Sequence, residues 1–371
     1  MRNESGKMRH AVGIGYRVLA AVIALAATAL AWAASVFLGM LLLPTALFAL
    51  SSAAEAVLLR DKSYFSAAMP VGTVILLVLP FRPSLMTVLL MAASMLAAVC
   101  LSVGIRKTEN AAVLVLCGGA AYLAAYLVWF FLLLTEQGGI SAATVERLFA
   151  DAKEALTPII SEQAEAYAAL YAENNMELPA VFGEEALLEA TDTYLRLFRL
   201  VLPGVAVTAA NIVGFLSEKF FFALLHAGGR RLLPHGFQTR EGRRVRLSLP
   251  GALIYLVSLL LLPLFVLFGA SEAARAVLLN LTVIYLPAAF LGGMWDIFHP
   301  LEFPKELMEA APNGARLAPP PKRGRTVRIV GSIVLLVLMP PLFPFILSLF
   351  GTVRAITDAA TDAALRRLHK E

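Results

Sequence analysis

Five polar side chains stand inside or beside long apolar runs of this chain, and their types set the chemistry open to it. Glu55 lies near the end of a run that closes at Arg60; Asn211, Glu218 and Lys219 interrupt a second run, and Asn280 a third. Ionisable and amide groups are expensive in such surroundings unless paired or used, so each is a candidate for a site. Converging in a helix bundle, Asn211, Glu218, Asn280 and Glu55 would line a polar cavity for a small solute or an ion. Structural readings stand beside that one. Lys219 can snorkel to the headgroups. Glu218, about 100° away around the helix, can pair with an inner-loop arginine. An asparagine can simply hydrogen-bond across helices, worth roughly 1 kcal/mol. Pro203-Gly204 either opens a break whose freed carbonyls line a cavity, or only kinks the helix.

The remaining residues with reactive side chains form no recognisable constellation. The chain has no GxxxxGK[ST], HExxH or GxSxG, so phosphate-cradling, zinc-peptidase and serine-hydrolase chemistry have no anchor in it. His10, His226, His235, His299 and His369 are scattered over termini and loops. Asp296 and His299 share a helical face as a conceivable metal pair, but Pro300 follows at once and two ligands are too few. Cys100 and Cys117 make neither CxxC nor a zinc spacing and read as structural. The expectation is a protein that is not an enzyme and carries no cofactor and no metal.

The elements that must position the polar groups follow from composition. Apolar residues make up 59% and charged residues 15%, against roughly 45–50% and about 25% in soluble domains. The long uncharged runs approach the ~20 residues a helix needs to cross the hydrocarbon core. Backbone groups must pair internally there, and no strict barrel alternation is present, so the runs are helices. The predicted fold is all-α, a polytopic transmembrane helix bundle of about nine spans, or eight plus a re-entrant segment. The net charge of +5 reads as the positive-inside bias of a multi-pass protein of the cell membrane, with lipid as its surroundings and no nucleic acid as partner.

Along the chain, spans are expected at about 12–34, 36–59, 64–79, 84–105, 111–135, 195–226, 249–268, 276–295 and 329–350. Residues 1–135 form an amino-terminal bundle of about five spans, 196–351 a carboxy-terminal bundle of about four, and 352–371 an amphipathic tail. Between the bundles, 136–195 hold twelve Asp/Glu against two Lys/Arg and read as two amphipathic helices in an acidic outer insertion, punctuated by Pro158, Pro179 and Gly183. With the amino terminus cytoplasmic, the inner segments carry 19 Lys/Arg and the outer ones four, or six with Arg196 and Arg199. Nine spans would put the basic tail outside; a re-entrant last segment would put it inside. On the first span Ala20, Ala24, Ala27 and Ala31 fall on one stripe, where another helix can approach closely. The alternative is an alanine-rich span with no special face.

The stretch LVLPGVAVTAANIVGFLSEKFFFALL, followed by GGRRLLPHGF, RVRLSLPGALIYLVSLLLL and LLNLTVIYLPAAFLGG, resembles the YybS-like family of polytopic membrane proteins of Gram-positive bacteria. The closing LSLFGTVRAITDAATDAALRRL also resembles that family's last segment. The family is compared with the substrate-binding components of energy-coupling-factor transporters. The resemblance therefore implies solute binding, a membrane coupling partner or separate ATPase, and Ala20, Ala24, Ala27 and Ala31 as the docking stripe. This chain departs from that pattern by about three further spans and the outer insertion. The two functional expectations are a transport-related protein binding a small solute within the bundle, and a membrane scaffold or regulatory protein. The scaffold would act through basic inner loops such as Arg240–Arg246 and through the acidic outer segment.

Overall fold

The computed structural model describes residues 14–38, 42–60, 72, 84–108, 110–229, 233, 237, 247–298, 330–331, 336 and 342–368. Among them run nine α-helices and one short 3-10 turn. They are α1 (Ile14–Leu38), α2 (Leu42–Arg60), α3 (Leu85–Lys107), α4 (Ala111–Glu136), α5 (Ala142–Glu173), α6 (Glu184–Ala227), α7 (Leu249–Leu267), α8 (Glu272–Phe298) and α9 (Phe343–Leu368). Eight of these, all but α5, are long and apolar enough to cross a membrane. The chain is an all-α, polytopic integral membrane protein. Seven of the expected spans coincide with α1, α2, α3, α4, α6, α7 and α8. The span expected at 64–79 lies outside the described residues, as do the loop arginines Arg240–Arg246 and His10, His235, His299 and His369.

Local chemistry sets the helix starts. Ser84, Asn110, Ser141 and Ser248 each cap a helix by accepting a backbone N–H with the side chain, satisfying donors that a helix start leaves orphaned. Pro250 occupies the first turn of α7, where no N–H is needed. The α7–α8 turn passes through Gly269 at φ +65°, a backbone conformation that glycine adopts without penalty.

The bundle has two ends. At one, the base, α1 begins and α2, α3 and α6 finish: the Tyr16 hydroxyl donates to the Leu224 carbonyl, and Arg106 donates to the Leu59 and Arg60 carbonyls. At the other, the crown, α5 packs against the first half of α6. That helix is 44 residues long, about 66 Å and roughly twice the hydrocarbon thickness, so its first turns stand clear of the core. It is the hub of the molecule, packing on α2 and α4 on one side and on α8 on the other. The boundary expected between residues 195 and 196 therefore falls inside one continuous helix, because nothing there breaks it. The two amphipathic helices expected before it are also one helix, α5, with Pro158 inside. Losing one N–H donor is tolerable on an exposed turn.

The last candidate crossing among the described residues is Phe343–Ala364, and most of the first half of the span expected at 329–350 lies outside the described residues. Pro344 lies in its first turn, so the last proline of the run marks a start and not a kink. Helices α8 and α9 run in the same direction: the ring of Phe343 lies near that of Phe290, Gly351 sits on Ala289 and Gly293, and Arg354 meets Asp296. α9 therefore begins part-way along α8 and finishes at the base, beyond the end of α8. α8 itself is parallel to α6, with Asn280 at Gly204 and Val283 at Thr208. α9 thus finishes at the end where α2, α3, α6 and α8 terminate.

Candidate functional site

Glu55 and Glu218 both lie inside the amino-terminal bundle, 1% and 0% exposed. α2 and α6 descend side by side, and Ser52 on the first hydrogen-bonds Ser217 on the second at 3.0 Å. This contact fixes the register of the two helices, so that both carboxyls fall within about a turn of the same hydroxyl pair. Tyr122 of α4 completes it from a third helix: its hydroxyl donates to the Phe48 carbonyl at 3.2 Å and lies 3.3 Å from Ser52 Oγ. Ser217 is anchored to the Val213 carbonyl at 2.8 Å. Ser52, Tyr122 and Ser217 are all buried.

The environment of each carboxyl differs. Glu218 pairs with its neighbour Lys219 at 3.0 Å, and the ammonium sits 5.0 Å above the Phe215 ring while its side chain stays about one-third exposed. The expected snorkelling lysine is thus also the partner of the buried glutamate. Glu55 meets hydroxyls instead. Ser51, four residues earlier on the same helix face, lies 3.1 Å from Glu55 Oε1, and Thr28 Oγ1 of α1 lies 2.6 Å from Ser51 Oγ. Thr28 in turn donates to the Ala24 carbonyl at 2.8 Å. A chain of oxygens therefore leads from the α1 backbone to the Glu55 carboxyl through the packed interior.

The stripe Ala20, Ala24, Ala27 and Ala31 is buried. Ala20 packs into the cluster of Ala53, Ala56 and Val57, and Ala31 into that of Phe48 and Ala49, so the stripe lies against this chain's own α2. Small side chains let α1 approach closely enough for Thr28 to reach Ser51.

No known protein family matches the chain, and no match is found among curated proteins or solved structures. The arrangement of the remaining polar residues must therefore speak for itself. Asn211 is half-buried, and its amide oxygen lies against Gly119. One turn on, Gly214 meets the Val115 carbonyl and the Gly119 backbone so tightly that a methyl group would not fit. α4 and α6 touch backbone to backbone there, leaving no room for a solute between them. Asn280 is drawn into the Pro203-Gly204 break: its amide oxygen accepts from the Gly204 N–H, and its amide nitrogen donates to the Leu200 and Ala276 carbonyls at 2.7 and 2.8 Å. The groups loosened by Pro203 are satisfied by a neighbouring side chain rather than by a cavity.

Asp296 has a different partner from the one considered for it. Arg354, 8% exposed, donates from Nη1 to Asp296 at 2.9 Å and from Nε to Asp358 at 2.9 Å. No group of three or more possible metal ligands occurs among the described residues. The hydroxyls Thr28, Ser51, Ser52, Ser217 and Tyr122 escaped sequence reasoning. A signal was present for two of them: Ser51 is four residues before Glu55, and Thr28 is four after Ala24 on the alanine stripe.

Proposed function

We propose that this integral membrane protein is a transport protein whose working part is the bundle of α1, α2, α4 and α6. The observation that carries the reading is the burial of Glu55 and Glu218 on neighbouring helices that the Ser52–Ser217 hydrogen bond joins. Ionisable groups at such positions are costly, and membrane proteins retain them chiefly where a charge or a polar solute is handled. Asn211 and Asn280 are engaged in packing, so the acidic pair and its hydroxyls are the centre of the site. The solute would reach the pair after α2 and α6 part, because both carboxyls are buried in this arrangement. In the test, the full chain is purified in mild detergent and examined by native mass spectrometry for a retained small molecule. A discrete mass lost in Glu218→Gln supports transport-related binding, and a chain that carries nothing under any extraction condition counts against it.

One observation favours the second reading, a scaffold or regulatory membrane protein. The crown exposes apolar side chains among its acidic ones, with Ile140 and Val181 each 66% and Tyr194 72% exposed. Retention of a protein partner that is lost on deleting α5, with no retained small molecule, would favour this alternative.

A further inference from the structure

We propose that Glu55 is a proton-binding site, so that the ion handled by this bundle is H⁺. The proposal rests on the transport reading for its purpose but not for its test.

Glu55 is 1% exposed, its hydrogen bonding is to Ser51 alone, and no described cation pairs with it. An ionised carboxylate in that setting lacks the compensation a buried charge requires. Among the described residues, no cation on the helices packed around α2 is paired with Glu55, and Arg60 on α2 itself is engaged elsewhere. On α6, Lys219 pairs with Glu218. On α3, Arg106 is spent on the Leu59 and Arg60 carbonyls, and Cys100 carries no charge to offer. α4 contributes Tyr122, which is held by Phe48 and Ser52. On α1, Tyr16 bonds Leu224, and Arg17 lies about three turns before Thr28, near the base.

The network from Ala24 to Glu55 has three short oxygen–oxygen contacts, at 2.8, 2.6 and 3.1 Å, and a longer one of 3.5 Å from Ser51 to the Ala24 carbonyl. Thr28 and Ser51 supply one hydrogen each. With Thr28 donating to Ala24 and Ser51 to Thr28, the third contact is filled when Glu55 donates to Ser51. A proton on the carboxyl completes the chain.

Two oxygens held by a common cation at about 2.3–2.6 Å would sit roughly 3.3 Å or more apart. The spacing of 2.6 and 3.1 Å along Thr28, Ser51 and Glu55 is that of hydrogen bonds and leaves no seat for a metal ion. Binding forms one O–H bond on a carboxylate oxygen and cancels one negative charge. Release returns the proton to water, and no electrons change hands.

The test is carbodiimide labelling of the full chain in liposomes with dicyclohexylcarbodiimide, which attacks the acid form of carboxyls in apolar surroundings, read by peptide mass spectrometry. Glu55 should be tagged in preference to the exposed carboxylates of α5. The tag should fall about tenfold per pH unit above its midpoint and should be indifferent to added sodium. Ser51→Ala should move that midpoint without removing the tag, and Glu55→Gln should lose it. Labelling that ignores pH, protection by sodium at constant pH, or tagging confined to other carboxyls would overturn the proposal. If Glu55→Gln fails to fold, the wild-type pH series still decides. A tagged Glu55 in a protein that retains no solute leaves the proton site standing and removes the transport reading; a retained solute with no tag does the reverse.

Discussion

The two seams of this bundle bury charge in opposite ways. In the amino-terminal half, Glu55 enters the interior with hydroxyls around it and no described counter-charge. In the carboxy-terminal half, Arg354 enters between α8 and α9 with a carboxylate on each side, Asp296 and Asp358, both at 2.9 Å. The backbones differ as well. Around Glu55 small side chains leave room for a hydroxyl relay, whereas α8 and α9 meet through Gly292, Gly293 and Gly351 with no side chain between them. A carboxyl that a single proton can neutralise is suited to change state. An arginine locked by two acids between touching helices is suited to hold a structure. The contrast separates a site from a clasp, although both are buried polar groups in apolar helices.

The sharpest way to break this comparison is to remove the charge on each side. Arg354→Leu leaves Asp296 and Asp358 without the partner they share, and should destabilise the protein by about 3–5 kcal/mol. Glu55→Gln keeps the shape and, in its amide N–H, a donor for the Ser51 oxygen, and should change stability by less than about 1 kcal/mol. Thermal melting in detergent, followed by fluorescence-detected size exclusion, measures both. Equal losses in the two variants would show that Glu55 is as structural as Arg354.

Glycine contacts come next. A methyl group at Gly351 would overlap the Ala289 carbonyl and the Gly293 N–H, both backbone and unable to swing aside. Gly351→Ala should therefore force α9 away from α8 and lower stability by about 1–3 kcal/mol, read in the same assay. Because α9 begins part-way along α8 and ends at the base, a cysteine at Thr361 should react with a membrane-impermeant maleimide from the same side as one at Gly228. Reaction from opposite sides would refute the parallel packing.

Asn280 tests whether a polar residue in a span is a site or a splint. Asn280→Leu removes the amide that serves the Gly204 N–H and the Leu200 carbonyl at the Pro203 break. It should cost about 1–3 kcal/mol and leave carbodiimide labelling of Glu55 unchanged; altered labelling would place Asn280 in the site. This residue also shows what sequence could and could not reveal. Length and hydropathy were enough for the all-α class and for seven of the crossings, because each run had to pair its backbone internally. They marked Glu55, Glu218, Asn211 and Asn280 as unusual, because polarity in an apolar run is visible residue by residue. They could not sort the four, since that depends on the opposing helix: a proline break opposite Asn280, a glycine backbone opposite Asn211, a threonine opposite Ser51. The direction of α9 was hidden for the same reason. The prolines near Pro344 mark a discontinuity, but only the Gly293–Gly351 and Asp296–Arg354 contacts say which way the chain leaves it.

The smallest effect belongs to the crown, where charge pairs face water. Lys153 donates to Asp192 at 2.8 Å, with Arg196 adding a weaker contact at 3.4 Å. The Lys153 hydrogen bond and charge hold the Asp192 carboxyl below its ordinary value of 3.8. A carboxylate lowered in the folded state adds stability above its unfolded value and gives it up as pH falls through the folded one. The α5–α6 contact should therefore loosen slightly as pH drops from about 5 toward the lowered value, seen as faster amide exchange over Glu184–Asp192. Exposed pairs are screened by salt and contribute little, so the loosening should shrink at high ionic strength and vanish in Asp192→Asn.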